Sequence, residues 1–159
     1  AIPTDRVIQT QDIITIDMGC IVDGYCSDMT RTIFIGEPTQ EQKDIYNLVL
    51  KNQKMALNQV RDGANIKTIV KGVESDFNVN GHTLIHSLGH GVGLNIHEGP
   101  IVGIKNDTSL KENMVITDEP GIYIAGNFGV RIEDTLLVTK KGAIALTESD
   151  KECIILKAL

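Results

Sequence analysis

The spacing of hydrophobic residues changes twice along this chain. The first part carries short apolar, β-branched runs, which predict strands. Asp23-Gly24 lies between two of these runs and is a strong signal for a two-residue hairpin. The predicted strands span 13–18, 20–22 and 30–35. The chain is therefore predicted to begin with strands joined by tight turns.

The middle of the chain has helical spacing instead. Thr39 and Gln42, three residues later, form a capping box. Apolar residues then recur at helical intervals as far as Val60, and Asp62-Gly63 ends the run. A second helix is predicted over Ile66–Phe77, with an apolar face of its own. Two consecutive helices therefore follow the first strands.

The rest of the chain returns to strands and glycine-rich turns. Lys140-Lys141-Gly142 is predicted to be a hairpin turn. The later strands are predicted at 115–117, 121–124, 130–138, 144–146 and 152–157. Strands, two helices and more strands form an α+β pattern, and no repeat or linker divides it. We predict one domain over residues 1–159.

Composition excludes several classes of function. With 42% hydrophobic and 23% charged residues the chain is ordinary globular protein. A net charge of −6 argues against nucleic acid as the main partner. No apolar run approaches the length that spans a bilayer, and the polar start Ala1-Ile2-Pro3-Thr4-Asp5-Arg6 is not a signal peptide. We therefore expect neither nucleic acid nor a membrane as partner.

The cysteines indicate a compartment. Their count is odd, without a Cys-x-x-Cys pair, which favours reduced thiols in a cytoplasmic protein. They are Cys20, Cys26 and Cys153. Cys20 and Cys26 fall in strand-like apolar stretches, so we expect both to be small buried hydrophobic residues.

Two aspartates stand beside the early strands. Asp17 ends an apolar run, where a buried anion is costly unless it is paired or bound to a metal. The alternative is an Asp that forms a turn before Gly19. Asp28 lies eleven residues later, across the hairpin, and could face Asp17 from a neighbouring strand. A plain salt bridge between Asp28 and Arg31 is the alternative there.

Three of the four histidines lie within twelve residues: His86, His90 and His97. Gly89, Gly91 and Gly93 among them make a regular helix unfavourable. We expect these glycines to let the backbone approach a metal or a substrate closely. The histidine cluster is therefore predicted to be part of a site, whereas His82 is assigned to the surface or to a structural role.

Two glutamates complete the set of candidates. Glu119 precedes Pro120-Gly121, which predicts a tight turn that points the acid in a defined direction. Glu133 is predicted in mid-strand, on the same side as Arg131. The alternative for Glu133 is an ion pair with Arg131 on a solvated face.

Five of these residues form a candidate ligand set for two metal ions: Asp17, Asp28, His90, Glu119 and Glu133. Four carboxylates and one imidazole suit divalent ions such as Mn²⁺, Co²⁺, Fe²⁺ or Zn²⁺. They do not suit a cysteine-rich structural zinc.

The five motifs, in this order, resemble the C-terminal catalytic part of the Xaa-Pro peptidases (aminopeptidase P and prolidase) in the pita-bread metallopeptidase family. The resemblance runs from Ala1 to about Thr139. Ser27-Asp28-Met29-Thr30-Arg31-Thr32 is more similar to the Xaa-Pro branch than to methionine aminopeptidases. The resemblance of the whole chain implies a pita-bread fold, in which a curved antiparallel sheet carries two helices on one face.

The resemblance also implies roles. Asp17, His90 and Glu119 would each bind one ion, and Asp28 and Glu133 would bridge two, with Mn²⁺ the expected metal. The implied catalytic residues are His86, His97, Glu119 and Arg131. The two histidines would contact substrate and stabilise charge in the transition state, Glu119 would also shuttle a proton, and Arg131 would orient an acidic ligand. The implied reaction is hydrolysis of the peptide bond before proline at the N-terminus of peptides.

Two departures from the pattern qualify this expectation. Relatives often carry an aliphatic residue where this chain has Asp118, so we expect that charge either to face solvent or to disturb the site. A substrate-positioning histidine of relatives lies just before the stretch that matches Ala1-Ile2-Pro3. We therefore expect a fragment that lacks the N-terminal helices and any separate N-terminal domain of a homodimeric parent.

A non-catalytic pita-bread binding module and an inactive fragment are the alternative functions. A creatine-hydrolysing relative, which works without metals, is disfavoured because all five ligands are present.

Overall fold

The structure is a computed structural model that describes residues 4–157, so the start at Ala1-Ile2-Pro3 lies outside the described residues. Two helices, α1 (Gln40–Gln59) and α2 (Ile66–Val79), lie between two sets of strands. The strands are β1 (Ile13–Met18), β2 (Ile21–Val22), β3 (Tyr25–Cys26), β4 (Met29–Ile35), β5 (Gly89–Gly91), β6 (Glu98–Val102), β7 (Val115–Asp118), β8 (Gly121–Ile124), β9 (Phe128–Arg131), β10 (Asp134–Val138), β11 (Ala143–Ala145) and β12 (Ile154–Leu156). The α+β prediction is confirmed.

The first sheet has the order β1-β4-β12. β1 and β4 are antiparallel, with Asp17 opposite Thr30, and the short β2–β3 hairpin lies between them in sequence. Asp23 and Gly24 both have positive φ, at 50° and 88°, which is the backbone that a two-residue hairpin turn of this twist requires. β12 adds to β4 in parallel, the one departure from antiparallel pairing among the described strands.

The second sheet has the order β11-β10-β7-β5-β6, and β8 and β9 form a separate hairpin. The predicted strand at 130–138 is wrong in one respect, because it is interrupted after Arg131. Glu133 forms an isolated bridge with Thr30 of β4 instead. The chain leaves the β8–β9 hairpin there and enters the five-stranded sheet, so no single ladder runs through this stretch.

Two strands were not predicted, and one is shorter than predicted. β5 begins and ends with glycine, and Gly99 and Pro100 in β6 are residues that strands disfavour, so neither stretch signals a strand. The last strand, predicted at 152–157, is reduced to Ile154–Leu156. The predicted turn after Val138 is confirmed by a hydrogen bond from Thr139 N to Gly142 O.

α1 begins where the capping box predicted, and α2 begins at Ile66 as its apolar spacing predicted. The Thr39 hydroxyl accepts a hydrogen bond from Gln42 N at 3.2 Å, and Gln42 Oε1 accepts one from Thr39 N at 2.8 Å. The apolar face of α2 is buried as predicted, at Ile66, Ile69, Val70, Val73 and Phe77. Both helices pack into one hydrophobic core with the strands of the second sheet. Among residues 4–157, no helix is long and apolar enough to cross a membrane.

The cysteine prediction is wrong in one respect. All three cysteines are free, but Cys20 is exposed and Cys26 is only half-buried. Both belong to the region of the β2–β3 hairpin, where Ile21 and Val22 are also exposed, at 71% and 63%. This hairpin projects from the sheet, so an apolar composition does not lead to burial there.

Candidate metal centre

Antiparallel pairing brings the two aspartates to neighbouring strands, as predicted. Asp17 lies within β1 opposite Thr30, and Asp28 directly precedes β4. Asp28 is buried, at 7% exposure. Asp17 is neither buried nor part of a turn: its side chain is 52% exposed because β1 is an edge strand of its sheet. The carboxylate of Asp17 accepts a hydrogen bond from Arg131 Nη2.

β5 carries His90 and lies between β7 and β6 in the second sheet. A Cβ at Gly89 would lie 2.1 Å from Thr117 O, and one at Gly91 would lie 2.2 Å from Gly99 O. The glycines therefore allow close approach, as expected, but the partners are the backbones of the adjacent strands rather than a metal or a substrate. This packing fixes the strand that carries His90.

The imidazole of His90 has a defined orientation. Its Nδ1 lies 2.9 Å from Gly91 O, a contact that requires the proton on Nδ1. Nε2 faces Asp28 Oδ2 at 3.5 Å and Glu119 Oε1 at 3.4 Å, and it is the ring nitrogen that can bind a metal. A backbone carbonyl that orients the second ring nitrogen is a common support for a metal-binding histidine.

The two glutamates approach from opposite sides. Glu119 follows β7 and is held by hydrogen bonds from its own N to Leu88 O, at 2.8 Å, and from Thr117 Oγ1 to its Oε1, at 3.1 Å. Glu133 is buried, at 2% exposure, and its Oε2 accepts a hydrogen bond from Thr30 Oγ1 at 2.5 Å. Both carboxylates are thus oriented by threonine hydroxyls.

The structure brings all five predicted ligands together. They fall in overlapping groups whose ligand atoms lie within 4.8 Å of one another, namely His90 with Glu119 and Glu133, and Asp17 with Asp28 and Glu133. A further group joins Asp28 and His90 to the exposed His97, whose ring centroid lies 4.2 Å from that of His90.

The carboxylates repel one another in the absence of a cation. Burial, reinforced by the charges of Glu119, Asp28 and Asp17, raises the pKa of Glu133 to about 8 although the Thr30 hydroxyl opposes this. Burial also raises the pKa of Glu119, and burial together with Asp17 raises that of Asp28. Oxygen donors with a single imidazole suit divalent cations, which would offset this repulsion. The residues therefore fit the two ions that the resemblance implies.

A hydrogen-bonded chain links the outer residues of the site. Arg131 donates from Nη1 to Tyr123 Oη at 3.0 Å and from Nε to Thr30 Oγ1 at 3.1 Å. Tyr123 Oη in turn lies 3.0 Å from His86 Nε2. The sequence analysis missed Tyr123. Its only signal in the sequence is that it follows Glu119 by four residues on a predicted strand. The structure shows that its neighbour in β8, Ile122, is buried.

The two salt-bridge alternatives are wrong. Arg131 pairs with Asp17 rather than with Glu133. Arg31 pairs with Asp134, at 2.8 Å, rather than with Asp28, because successive side chains of β4 point to opposite faces. Neither Asp28 nor Glu133 is thus neutralised by a direct arginine partner in the described residues.

Asp118 does not face solvent. It is 2% exposed and receives a hydrogen bond from Gln53 Nε2 at 3.3 Å, while its Oδ1 is buried without a partner in the described structure. Burial and the charge of Asp134 raise the pKa of Asp118 well above its ordinary value. Asp118 ends β7 opposite Asp134 of β10, and its side chain contacts Gln53 of α1.

Sequence comparison places the chain among peptidases. The model of metallopeptidase family M24 matches residues 1–140. The chain is similar to an Xaa-Pro dipeptidase of Pyrococcus horikoshii, at 44% identity over 156 residues, which covers 96% of this chain and 44% of that protein. It is also similar to the uncharacterized peptidase YqhT of Bacillus subtilis, at 38% identity, covering 98% of this chain and 44% of that one. The chain thus spans less than half the length of these curated relatives.

Solved structures agree. The X-Pro aminopeptidase of Thermotoga maritima superposes with a TM-score of 0.93 at 38% identity, covering 96% of this chain and 44% of that chain. A recombinant prolidase of Thermococcus sibiricus gives a TM-score of 0.95 at 39% identity, with coverage of 98% and 43%. The α+β architecture, with two helices and mostly antiparallel strands, is the pita-bread fold of these proteins. The chain belongs to metallopeptidase family M24.

Proposed function

We propose that this chain is the metal-binding, catalytic part of an Xaa-Pro peptidase, which hydrolyses the peptide bond before proline at the N-terminus of peptides. The observation that carries the proposal is the convergence of five donors from five separate stretches of sequence on overlapping sites within 4.8 Å. The proposal treats residues 1–159 as one partial catalytic domain of a homodimeric cytoplasmic protein.

The proposed ligands are Asp17, Asp28, His90, Glu119 and Glu133. Two divalent cations held there, Mn²⁺ in the first instance, would supply Lewis acidity and lower the pKa of a water nucleophile. Asp28 and Glu133 are the buried carboxylates shared between the groups, which suits a bridging role. Asp17, His90 and Glu119 lie to either side and suit single ions.

The other residues are assigned to substrate and proton. Glu119 is assigned the proton, because a carboxylate can accept a proton and return it to the proline nitrogen that leaves. His97 is exposed beside His90, which supports its assignment as a hydrogen-bond donor to an oxyanion. His86 and Arg131, joined through Tyr123, form a polar rim that can contact the carbonyl groups or carboxylate of a peptide, with Arg131 as its N–H donor.

A binding module that has lost its chemistry is the second candidate from the sequence. The presence of all five donors, with His90 Nε2 directed at two carboxylates, speaks against it. An inactive fragment of the peptidase remains compatible with this centre, since the chain spans 44% of the Xaa-Pro dipeptidase it matches.

The test is hydrolysis of Ala-Pro and Ala-Pro-Ala, with Ala-Ala as the control peptide, in Mn²⁺ and in EDTA. We expect cleavage before proline that requires Mn²⁺ and is abolished by EDTA and in Asp28→Asn. Preference for the dipeptide or the tripeptide assigns dipeptidase or aminopeptidase. Cleavage that survives both EDTA and Asp28→Asn contradicts the proposal. Calorimetric binding of Mn²⁺ without cleavage supports the centre and identifies this chain as an inactive fragment.

A further inference from the structure

Arg31 is a buried cation that the proposed chemistry does not use. It lies in β4, 4% exposed, with its side chain on the face opposite to that of Thr30. An arginine carries five N–H donors in a rigid fork, and a buried guanidinium is costly unless they are satisfied. The acceptors around the Arg31 guanidinium show which parts of the chain it connects.

Each of the five donors has a separate acceptor. Nη1 donates to Thr30 O at 2.8 Å and to Glu133 O at 2.6 Å. Nη2 donates to Asp134 Oδ1 at 2.8 Å and to Ser149 O at 2.8 Å. Nε donates to Asp150 O at 3.0 Å. One side chain therefore joins β4 to two later parts of the chain, each more than 100 residues away from it in sequence.

Glu133 is a ligand that no continuous pairing of the described strands holds in place. It lies between β9 and β10, in an isolated bridge with Thr30 rather than in a continuous ladder. Its N donates to Thr30 O at 3.1 Å, and its Oε2 accepts from Thr30 Oγ1. Arg31 Nη1 donates to the carbonyl oxygens of both bridge partners, Thr30 and Glu133. It therefore holds the backbone at Glu133 against the backbone of β4.

The far side of the guanidinium is anchored by the C-terminal segment 147–152. Asp134 is fully buried and receives hydrogen bonds from Arg31, from Thr147 Oγ1 at 2.7 Å and from Lys151 Nζ. Tyr46 of α1 donates to Lys151 O at 3.1 Å, which fixes that segment against the helix layer. Arg31 is thus held in place independently of the metal centre.

We propose that Arg31 is a positioning residue for Glu133, which clamps the Thr30–Glu133 bridge to the segment 147–152 and so presents the Glu133 carboxylate to the metal site. This inference rests on the proposed metal centre. Lysine is not equivalent, because an ammonium ion has three donors and no planar fork with which to span both carbonyls.

The test compares Arg31→Lys and Arg31→Met with Asn52→Ala. Asn52 is fully buried in α1, and its side-chain amide donates to Leu48 O and to Asp76 of α2, away from the candidate centre. One readout needs no metal: the exchange rate of the Glu133 amide relative to that of Val73 in the core of α2, measured by NMR in EDTA. The other is the dissociation constant of Mn²⁺, measured by calorimetry.

We expect both Arg31 variants to raise the exchange rate of Glu133 relative to Val73 at least ~10-fold and to weaken Mn²⁺ binding by ~10–100-fold, the range for groups that support a ligand. Asn52→Ala is expected to lower the melting temperature but to leave the Glu133/Val73 exchange ratio and the dissociation constant of Mn²⁺ at their wild-type values. If Arg31→Met does not fold, Arg31→Lys and Lys151→Met, which loosens the anchor at Asp134, replace it.

An unchanged exchange ratio in the Arg31 variants overturns the inference, as does an unchanged Mn²⁺ affinity. So does an equal effect of Asn52→Ala, since that would mark general destabilisation. A wild-type chain that binds no Mn²⁺ contradicts the proposed metal centre instead, and the exchange ratio alone then decides whether Arg31 holds Glu133.

Discussion

Glu133 is the residue at which the two parts of the candidate metal centre meet. Its carboxylate belongs both to the group with His90 and Glu119 and to the group with Asp17 and Asp28. It is also the most deeply buried of the five, and this burial, followed by repulsion from the surrounding carboxylates, raises its pKa. Removal of one carboxylate from this set therefore affects both metal binding and the stability of the metal-free chain.

At this scale we predict that Asp28→Asn separates binding from folding. The variant loses a proposed bridging ligand, so Mn²⁺ affinity is expected to fall by at least ~100-fold, more than the loss of a supporting group costs. The metal-free variant is expected to be at least as stable as wild type, because burial and the charge of Asp17 already disfavour the ionised form of Asp28. Calorimetry and thermal unfolding in EDTA measure the two effects.

Asp44→Asn, on the exposed side of α1, is the matched control and should change neither quantity. Retained Mn²⁺ affinity in Asp28→Asn would remove Asp28 from the ligand set.

Among the elements, β5 is the one whose position depends most on glycine. Gly89→Ala places a Cβ against the carbonyl of Thr117 in the adjacent strand β7, where backbone must move to make room. We expect the free energy of unfolding to fall by ~3 kcal/mol, at the upper end of overpacking costs, with weaker Mn²⁺ binding because His90 is the next residue. Urea unfolding and calorimetry measure these changes.

Gly142→Ala, in the turn between β10 and β11, is the matched control for Gly89→Ala. A Cβ there meets nothing within 4 Å, so its stability should stay close to that of wild type. Gly89→Ala with wild-type stability would mean that β5 is not packed against β7 as described.

The start of α1 gives a second prediction at the scale of the element. Thr39→Ala removes the hydroxyl that accepts from Gln42 N, and loss of such a cap costs ~1 kcal/mol. Thr39→Ser keeps the hydroxyl and should recover most of that stability. Urea unfolding of the three proteins measures it, and Mn²⁺ affinity should stay unchanged because the cap lies outside the candidate centre. Equal stability of the Ala and Ser variants would contradict the capping assignment.

For the whole molecule, the raised carboxyl pKa values predict how stability depends on pH. The pKa of Glu133 rises from its ordinary value of 4.5 to about 8 on folding, so between these values the folded chain holds a proton that the unfolded chain has released. Stability from this group is complete below pH 4.5 and is lost as the pH rises through 8. Asp28 and Glu119 act in the same direction.

We therefore expect the EDTA-treated chain to lose ~2–4 kcal/mol of unfolding free energy between pH 5.5 and 8.5, allowing for partial solvent screening. Urea titrations across this range measure it. Glu133→Gln should flatten the slope, and saturating Mn²⁺ should stabilise the chain most at the alkaline end, where all the ligands are ionised. Stability that rises from pH 5.5 to 8.5 without metal would contradict the electrostatic account.

The sequence by itself determined those features that depend on neighbours in the chain. The Thr39 capping box, the Asp23-Gly24 turn and the apolar face of α2 obey rules that act over a few residues, and all three are confirmed. Donor chemistry is also a local property, so residue type and motif order are enough to point to the five proposed ligands.

Only the tertiary structure decided the features that depend on distant residues. Exposure of Asp17 follows from an edge position of β1, which no local pattern records. The break at Glu133 follows from its bridge to Thr30, and Arg31 acquires its partners from segments more than 100 residues away. Tyr123 joins the site through contacts with His86 and Arg131. Burial, strand pairing and ion pairing are set by packing between segments, and packing is not encoded in the spacing of any one segment.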